Sequence, residues 1–263
     1  MKQHPVSITS RFLAVWYRNW VVYLRTWKVS FLPPFLEPIL YIAAFGVGFK
    51  LLIPSVKYNG LDLSYVAFIA PALVAVSIMN SSFFETTYSA FVRMYYLKTF
   101  DATMSAPVSV DEVTTGEIVW GATRSVIAAT IMLAVLGVLD LVRWPYVLLI
   151  LPLAALGGLG FGAVGMVFTG IVPNIDLFTL PTFLFITPMF LFSGTFFPLD
   201  TLPTWARGVA MALPLTHLSN LSREICLGFP GGMSILWSVV YLVVFAAIFF
   251  VTAVLVMRRR LVK

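Results

Sequence analysis

The chain is 263 residues long, 60% hydrophobic and only 11% charged, with a mean hydropathy of +0.96. A water-soluble domain of this size needs a more polar shell, so the composition excludes one and points to a bilayer as solvent. The formal net charge of +6 then reads as basic residues at span ends, meeting anionic headgroups, and not as a nucleic-acid surface.

Residues 1–28 carry Arg11, Arg18, Arg25 and Lys28 throughout, unlike a cleavable signal peptide with its short basic head and apolar run. The three arginines recur every seven residues and keep to one helix face. Phe12, Trp16, Trp20, Tyr23 and Trp27 follow another face. Paired basic and aromatic stripes predict an amphipathic helix lying in the membrane interface over 1–28. A soluble helix packed on a partner would carry the same pattern.

Six apolar stretches follow, at 29–52, 66–91, 113–139, 145–172, 177–198 and 234–257. Each suffices for one span at about 20 residues. The expected fold class is therefore an all-α integral membrane protein: a 1–28 interfacial helix, then a six-span domain over 29–263. With the N-terminus inside, Lys2, Arg11, Arg18, Arg25, Lys28, Arg93, Lys98, Arg258, Arg259, Arg260 and Lys263 fall on the inner side. Lys50, Lys57, Arg143, Arg207 and Arg223 fall outside. This inward bias places both termini in the cytoplasm.

Two connections carry further information. The loop 92–112 is long enough for a short helix over 93–104, stopped by Pro107, after which Ser109 and Glu112 form a capping-box pattern. The segment 199–232 is too apolar for a plain loop and is broken by Pro203, Pro214 and Pro230. It predicts two short re-entrant helices, over 203–213 and 216–227, which need protein or water around them at membrane depth. Gly157, Gly158, Gly160, Gly162 and Gly165 crowd the fourth span and predict close approach of a neighbouring helix.

Chemistry-bearing motifs are mostly absent. No GxxxxGK[ST] phosphate loop and no GxSxG elbow occurs. His4, His217 and the single Cys226 offer no metal-ligand spacing, so neither a catalytic nor a metal site is expected. Glu37, Glu85, Glu117 and Arg124 stand out, because ionised groups inside spans cost several kcal/mol unless paired or hydrated. Helical rise puts all four in the cytoplasmic half, with Glu117 about 6 Å deep and Arg124 about 16 Å. Two readings stay open: a polar patch on a substrate path or gate, and an interhelical charge pair that locks spans together. Glu85 is the first candidate partner of Arg124, and Glu117 the competitor.

The run PLDTLPTWARGVAMALPLTHLSNLSREICLG at 198–228 resembles the C-terminal signature of bacterial type-2 ABC transporter permeases. EPILYIAAFGVGF at 37–49 resembles that family's first span, and SAPVSVDEVTTGEIVW at 105–120 its loop into the third. VWYRNW at 15–20, FETTYSAFVRM at 84–94, LPLTH at 213–217 and RRRL at 258–261 are similar to the branch that exports rhizobial nodulation factors, which are lipo-oligosaccharides.

The resemblance implies an export permease of the bacterial inner membrane. It would be a homodimer working with a separate cytoplasmic ATPase that binds ATP and Mg, and this chain would need no cofactor of its own. It implies a coupling loop at 92–106, where Met94, Tyr95, Leu97 and Phe100 are the candidates to project apolar groups toward the ATPase. It implies an outer gate at 199–228, with Trp205, Pro214, His217 and Arg223 as candidates. The implied cargo is an amphipathic lipo-oligosaccharide or glycolipid, with drug or polysaccharide efflux as alternatives within the family. Phe183, Phe190, Phe196 and Phe197 would suit acyl chains or sugar faces along its path, although lipid-facing phenylalanine has the same composition. Outside the family, a membrane-embedded lipid-modifying enzyme would have to rely on the glutamates, and a structural or sensory membrane protein would have no use for the 92–112 loop.

Overall fold

The computed structural model describes residues 8–48, 55–58, 60–228 and 232–262. Apolar surroundings force backbone groups to pair within the chain, and most of it is accordingly helical. Helix α1 runs Phe12–Gly48 and bends by 68° between Phe12–Lys28 and Ser30–Phe45. Pro33 and Pro34 explain the bend: lacking N–H groups, they leave the carbonyls one turn earlier without helical partners. The bend falls at the division expected between the 1–28 helix and the first span.

Helix α2 runs Tyr65–Phe84 and continues through two wide π-helical turns, Glu85–Ser89 and Val92–Tyr96. Then come α3 (Thr99–Met104), α4 (Val110–Val138) and α5 (Ile150–Ile171). The helical stretch α6 covers Ile175–Phe192, with a π-helical turn at Thr182–Ile186, and α7 (Thr204–Met211), α8 (Pro214–Leu227) and α9 (Gly232–Leu261) complete the order. Among the described residues five helices are long and apolar enough to cross a membrane, or six if the bent α1 counts as one span.

The expected all-α membrane fold is the one observed, with one small addition: β1 (Val56–Tyr58) and β2 (Leu61–Leu63) pair antiparallel, with Lys57 opposite Asp62. One expectation is corrected. The single helix expected over 93–104 is instead two pieces. Residues up to Tyr96 continue α2, Lys98 turns the chain in the left-handed region at φ 51°, and α3 starts afresh at Thr99. A side chain at positive φ is strained, which makes Lys98 a fixed corner and not a helical residue.

Both described ends of the chain fasten to the start of α4. Thr9 donates its N–H to Glu112, and Arg258 in the last turn of α9 pairs with Asp111. The expected capping box is present, with the Ser109 hydroxyl accepting from the Glu112 N–H and the Glu112 carboxylate accepting from the Ser109 N–H at 2.7 Å. Arg260 donates to the Thr169 and Val172 carbonyls at 2.6 Å, closing the end of α5. This end of the bundle is the clasp face. The opposite end, with the β-hairpin, α7 and α8, is the hairpin face.

Helix α5 is the central post, packed against α2, α4 and α9. Its glycines make that possible. A Cβ on Gly158 would lie 2.8 Å from the Ala122 Cα, and one on Gly162 would lie 2.6 Å from the Ser82 Oγ. Ser82 uses the closeness to donate to the Gly158 carbonyl at 2.5 Å, and Thr169 donates to the Thr86 carbonyl at 2.7 Å. Gly158→Leu should therefore lower stability by about 1–3 kcal/mol, the usual cost of overpacking, in thermal unfolding of the purified protein. Gly208→Ala on α7, where a Cβ meets nothing within 4 Å, should stabilise by about 0.5–1 kcal/mol through helix propensity. Equal losses at both positions would contradict this packing.

Candidate functional site

Near the clasp face, α1, α2 and α4 bring five charged side chains together. Glu117 on α4 is fully buried. One of its oxygens accepts from Arg18 at 2.9 Å and Asn19 at 3.1 Å, both on α1, and the other accepts from Arg93 at 2.5 Å. Arg93 also donates to Glu85 at 2.8 Å, where the Trp120 indole N–H adds a bond of 2.9 Å. The second oxygen of Glu85 faces the Arg124 Nε at 3.5 Å. The Arg124 guanidinium lies over the Tyr23 ring, 4.8 Å from its centre. Every carboxylate oxygen of the two glutamates has a cationic partner.

The π-helical turn at Glu85–Ser89 explains how Arg93 reaches Glu85. In a regular helix eight residues rotate by about 800°, leaving the two side chains about 80° apart. A π turn absorbs one extra residue, so the rotation becomes about 700° and both groups fall on one face, two turns apart.

The sequence reading paired Glu85 with Arg124, and the structure brings these two together. It adds Arg93 and Arg18, which had been assigned to the inner loop and the interface helix, as the closer partners of Glu85 and Glu117. The available signal was two acids at similar depth near basic residues at the inner edge. Glu37 lies outside the cluster, and its polar neighbour is Asn80 on α2. Depth alone grouped all four residues, and depth does not fix which neighbour a side chain meets. For the lipid-modifying alternative the arrangement is unfavourable, since both cluster glutamates are tied up in ion pairs and none is poised to work on a substrate.

Four of the five charged side chains, all but the buried Glu117, line a pocket of about 500 Å³, together with Tyr23, Thr26, Ser30, Tyr88 and Ser89. The cluster is also wired to the loop beyond α2, because Arg18 donates from its other terminal nitrogen to the Thr103 hydroxyl on α3 at 3.1 Å. Of the four apolar residues expected to project from that loop, Tyr95 and Leu97 do so, at 50% and 66% exposure. Met94 and Phe100 do not, which corrects the expectation. Both are buried in an apolar core with Val15, Phe91, Val113 and Phe178, because α3 folds back against the bundle. Tyr96, passed over in the sequence, is exposed beside them.

At the hairpin face, α7 and α8 are two short helices over the stretch where two were expected, and Gly228 ends α8 at φ 71°, the left-handed stop that glycine favours. Trp205 is exposed, while Pro214, His217 and Arg223 are buried. The His217 ring is bonded on both nitrogens, to the Ser238 hydroxyl at 3.1 Å and the Met211 carbonyl at 3.0 Å. Arg223 donates to the carbonyls of Phe68 at 3.1 Å and Thr195 at 3.1 Å, and also to that of Gly194. Its guanidinium lies 4.1 Å over the Phe68 ring. The side chain thus ties α2 and α8 to the non-helical segment just beyond α6.

The four phenylalanines expected along a path are split. Phe190 and Phe196 stack edge to face at 4.9 Å and pack against the core, whereas Phe183 and Phe197 are exposed.

A family model described as "ABC-2 type transporter" matches residues 10–227. Over 252 residues the chain is 33% identical to Nodulation protein J of Rhizobium leguminosarum bv. viciae, covering 96% of this chain and 95% of that one. Nodulation protein J of Sinorhizobium fredii is 34% identical over 96% of this chain and 94% of its own. The inner membrane transport permease YadH of Escherichia coli is 25% identical over 82% of both.

Proposed function

The chain belongs to the ABC-2 type transporter family, and from that premise we propose that it is the export permease for an amphipathic lipo-oligosaccharide or similar glycolipid. The cargo class rests on the similarity to proteins named Nodulation protein J. In this reading the permease sits in the inner membrane as a homodimer with the clasp face toward the cytoplasm. A separate ATPase binds ATP and Mg there and drives transport. The basic residues Arg11, Arg258 and Arg259 toward that face support its orientation.

The observation that carries the reading is the Arg18 side chain, which holds Glu117 in the membrane with one nitrogen and Thr103 on the loop helix with another. A push on α3 thereby reaches the charged pocket through one residue. The exposed Tyr95 and Leu97 on the same loop are the contact points for the ATPase.

Tyr95→Glu and Leu97→Glu should uncouple ATP hydrolysis from glycolipid uptake into inside-out vesicles. Stability should stay within about 0.5 kcal/mol, as for exposed positions generally. Full ATP-driven uptake by both variants would refute the loop as the coupling element, and a complex that hydrolyses ATP without moving any glycolipid would refute the cargo.

A further inference from the structure

The charged pocket has an imbalance that its ion pairs leave over. Three guanidinium groups, of Arg18, Arg93 and Arg124, face two carboxylates, those of Glu85 and Glu117. The surplus cation is Arg124. Only its Nε is turned to an acid, at 3.5 Å, and its face is covered by Tyr23. Among the described residues its two terminal nitrogens have no polar partner, and the residue lines the 500 Å³ pocket.

A second cavity, of about 760 Å³, continues along the same seam between α1 and α4 and is almost wholly apolar. On both helices the groove is lined by residues farther from the clasp face than those of the pocket. Ser30 lines the charged pocket and Phe31 the apolar groove on α1, while Arg124 lines the pocket and Thr130 the groove on α4. On α1 the groove extends from Phe31 to Ala43, about 18 Å at helical rise. One leaflet of hydrocarbon is about 15 Å deep, half of a ~30 Å core. Helical rise sets the Arg124 backbone about 16 Å deep, but its guanidinium reaches back to Tyr23 on the stretch of α1 before the bend, where Trp16, Trp20 and Trp120 cluster as aromatic residues do at headgroup depth.

We infer that this seam is a binding site for an acidic phospholipid, its phosphate on the terminal nitrogens of Arg124 and an acyl chain in the α1–α4 groove. A guanidinium matches phosphate in a two-pronged geometry, and the single surplus charge favours a lipid with net negative charge over a zwitterionic one. The site needs neither ATP nor cargo, so it stands apart from the export reading.

The test is native mass spectrometry of the full-length permease, with its ATPase, released from nanodiscs of equal parts phosphatidylglycerol and phosphatidylcholine. The unaltered protein should retain phosphatidylglycerol over phosphatidylcholine by roughly tenfold, the ratio expected from one hydrogen-bonded charge. Arg124→Gln should bring that ratio close to one, and Arg124→Lys should keep part of the preference. Ala134→Trp fills the groove away from the charges and should reduce retention of both lipids. An unaltered protein without preference, or an Arg124→Gln variant that keeps it, would overturn the headgroup assignment. Undiminished retention in Ala134→Trp would overturn the acyl-chain assignment. Should Arg124→Gln not fold, the unaltered protein, Arg124→Lys and Ala134→Trp still decide the matter.

Discussion

Glu117→Gln should destabilise the permease by about 3–5 kcal/mol, the usual cost of stranding a charge inside a protein. The carboxylate is fully buried and holds Arg93 at 2.5 Å and Arg18 at 2.9 Å, so the amide would leave three guanidinium groups in the cluster with Glu85 as the one remaining acid. Much of the loss should be recovered in Glu117→Gln combined with Arg93→Gln, where both members of the pair are gone. Thermal unfolding of the singles and the double measures the coupling directly. The same cycle on Glu85 and Arg124, which approach only to 3.5 Å, should give a smaller coupling. Additive losses for Glu117 and Arg93, or a larger coupling for the longer pair, would contradict the ion-pair geometry.

The second large effect is expected at Arg223. Arg223→Met keeps much of the bulk but removes donors from the Phe68, Gly194 and Thr195 carbonyls. Buried acceptors left without partners cost about 1–3 kcal/mol each, so the loss should reach several kcal/mol. The segment joining α6 to α7 should become open to protease. Trp205→Ala at the same face removes an exposed ring and should change stability by no more than about 0.5 kcal/mol. Reduced export from Trp205→Ala with normal unfolding would mark it as part of a gate. Normal unfolding in Arg223→Met would mean that the carbonyl cage does not hold the hairpin face together.

The parts of the fold set by length and punctuation were readable in the chain. Runs of about 20 apolar residues located the spans, Ser109 and Glu112 located the start of α4, and Pro203 and Pro214 located the starts of α7 and α8. The site was readable only in part, because hydropathy measures depth and not direction. Glu85 faces Arg124, and Glu117 is linked to them through Arg93, while Glu37, grouped with them by depth, has Asn80 as its polar neighbour. Arg93 reads as an inner-loop residue because the apolar stretch ends at 91, and the wide turn that brings it over Glu85 leaves no mark in hydropathy. Met94 and Phe100 looked like loop residues, and they are core because Lys98 turns α3 back under the bundle. The β-hairpin was invisible for a different reason: strands of three residues give too few alternations to register.

The wide turn at Glu85–Ser89 has a meaning for how the chain length itself is used. It amounts to a regular helix with one amino acid inserted, held in place without interrupting the rod. If that insertion were lost while the sequence stayed the same, everything beyond Ser89 would rotate by about 100° on the part anchored in the bilayer. Arg93 would swing off the face it shares with Glu85, and the corner at Lys98 would sweep round with it. If one amino acid were deleted at the turn, the two halves would keep their present alignment as an ordinary α-helix. The helix therefore has a built-in gear: one tooth of rotation sits between its membrane half and its loop half, and the cluster at Arg93 fixes which tooth is engaged.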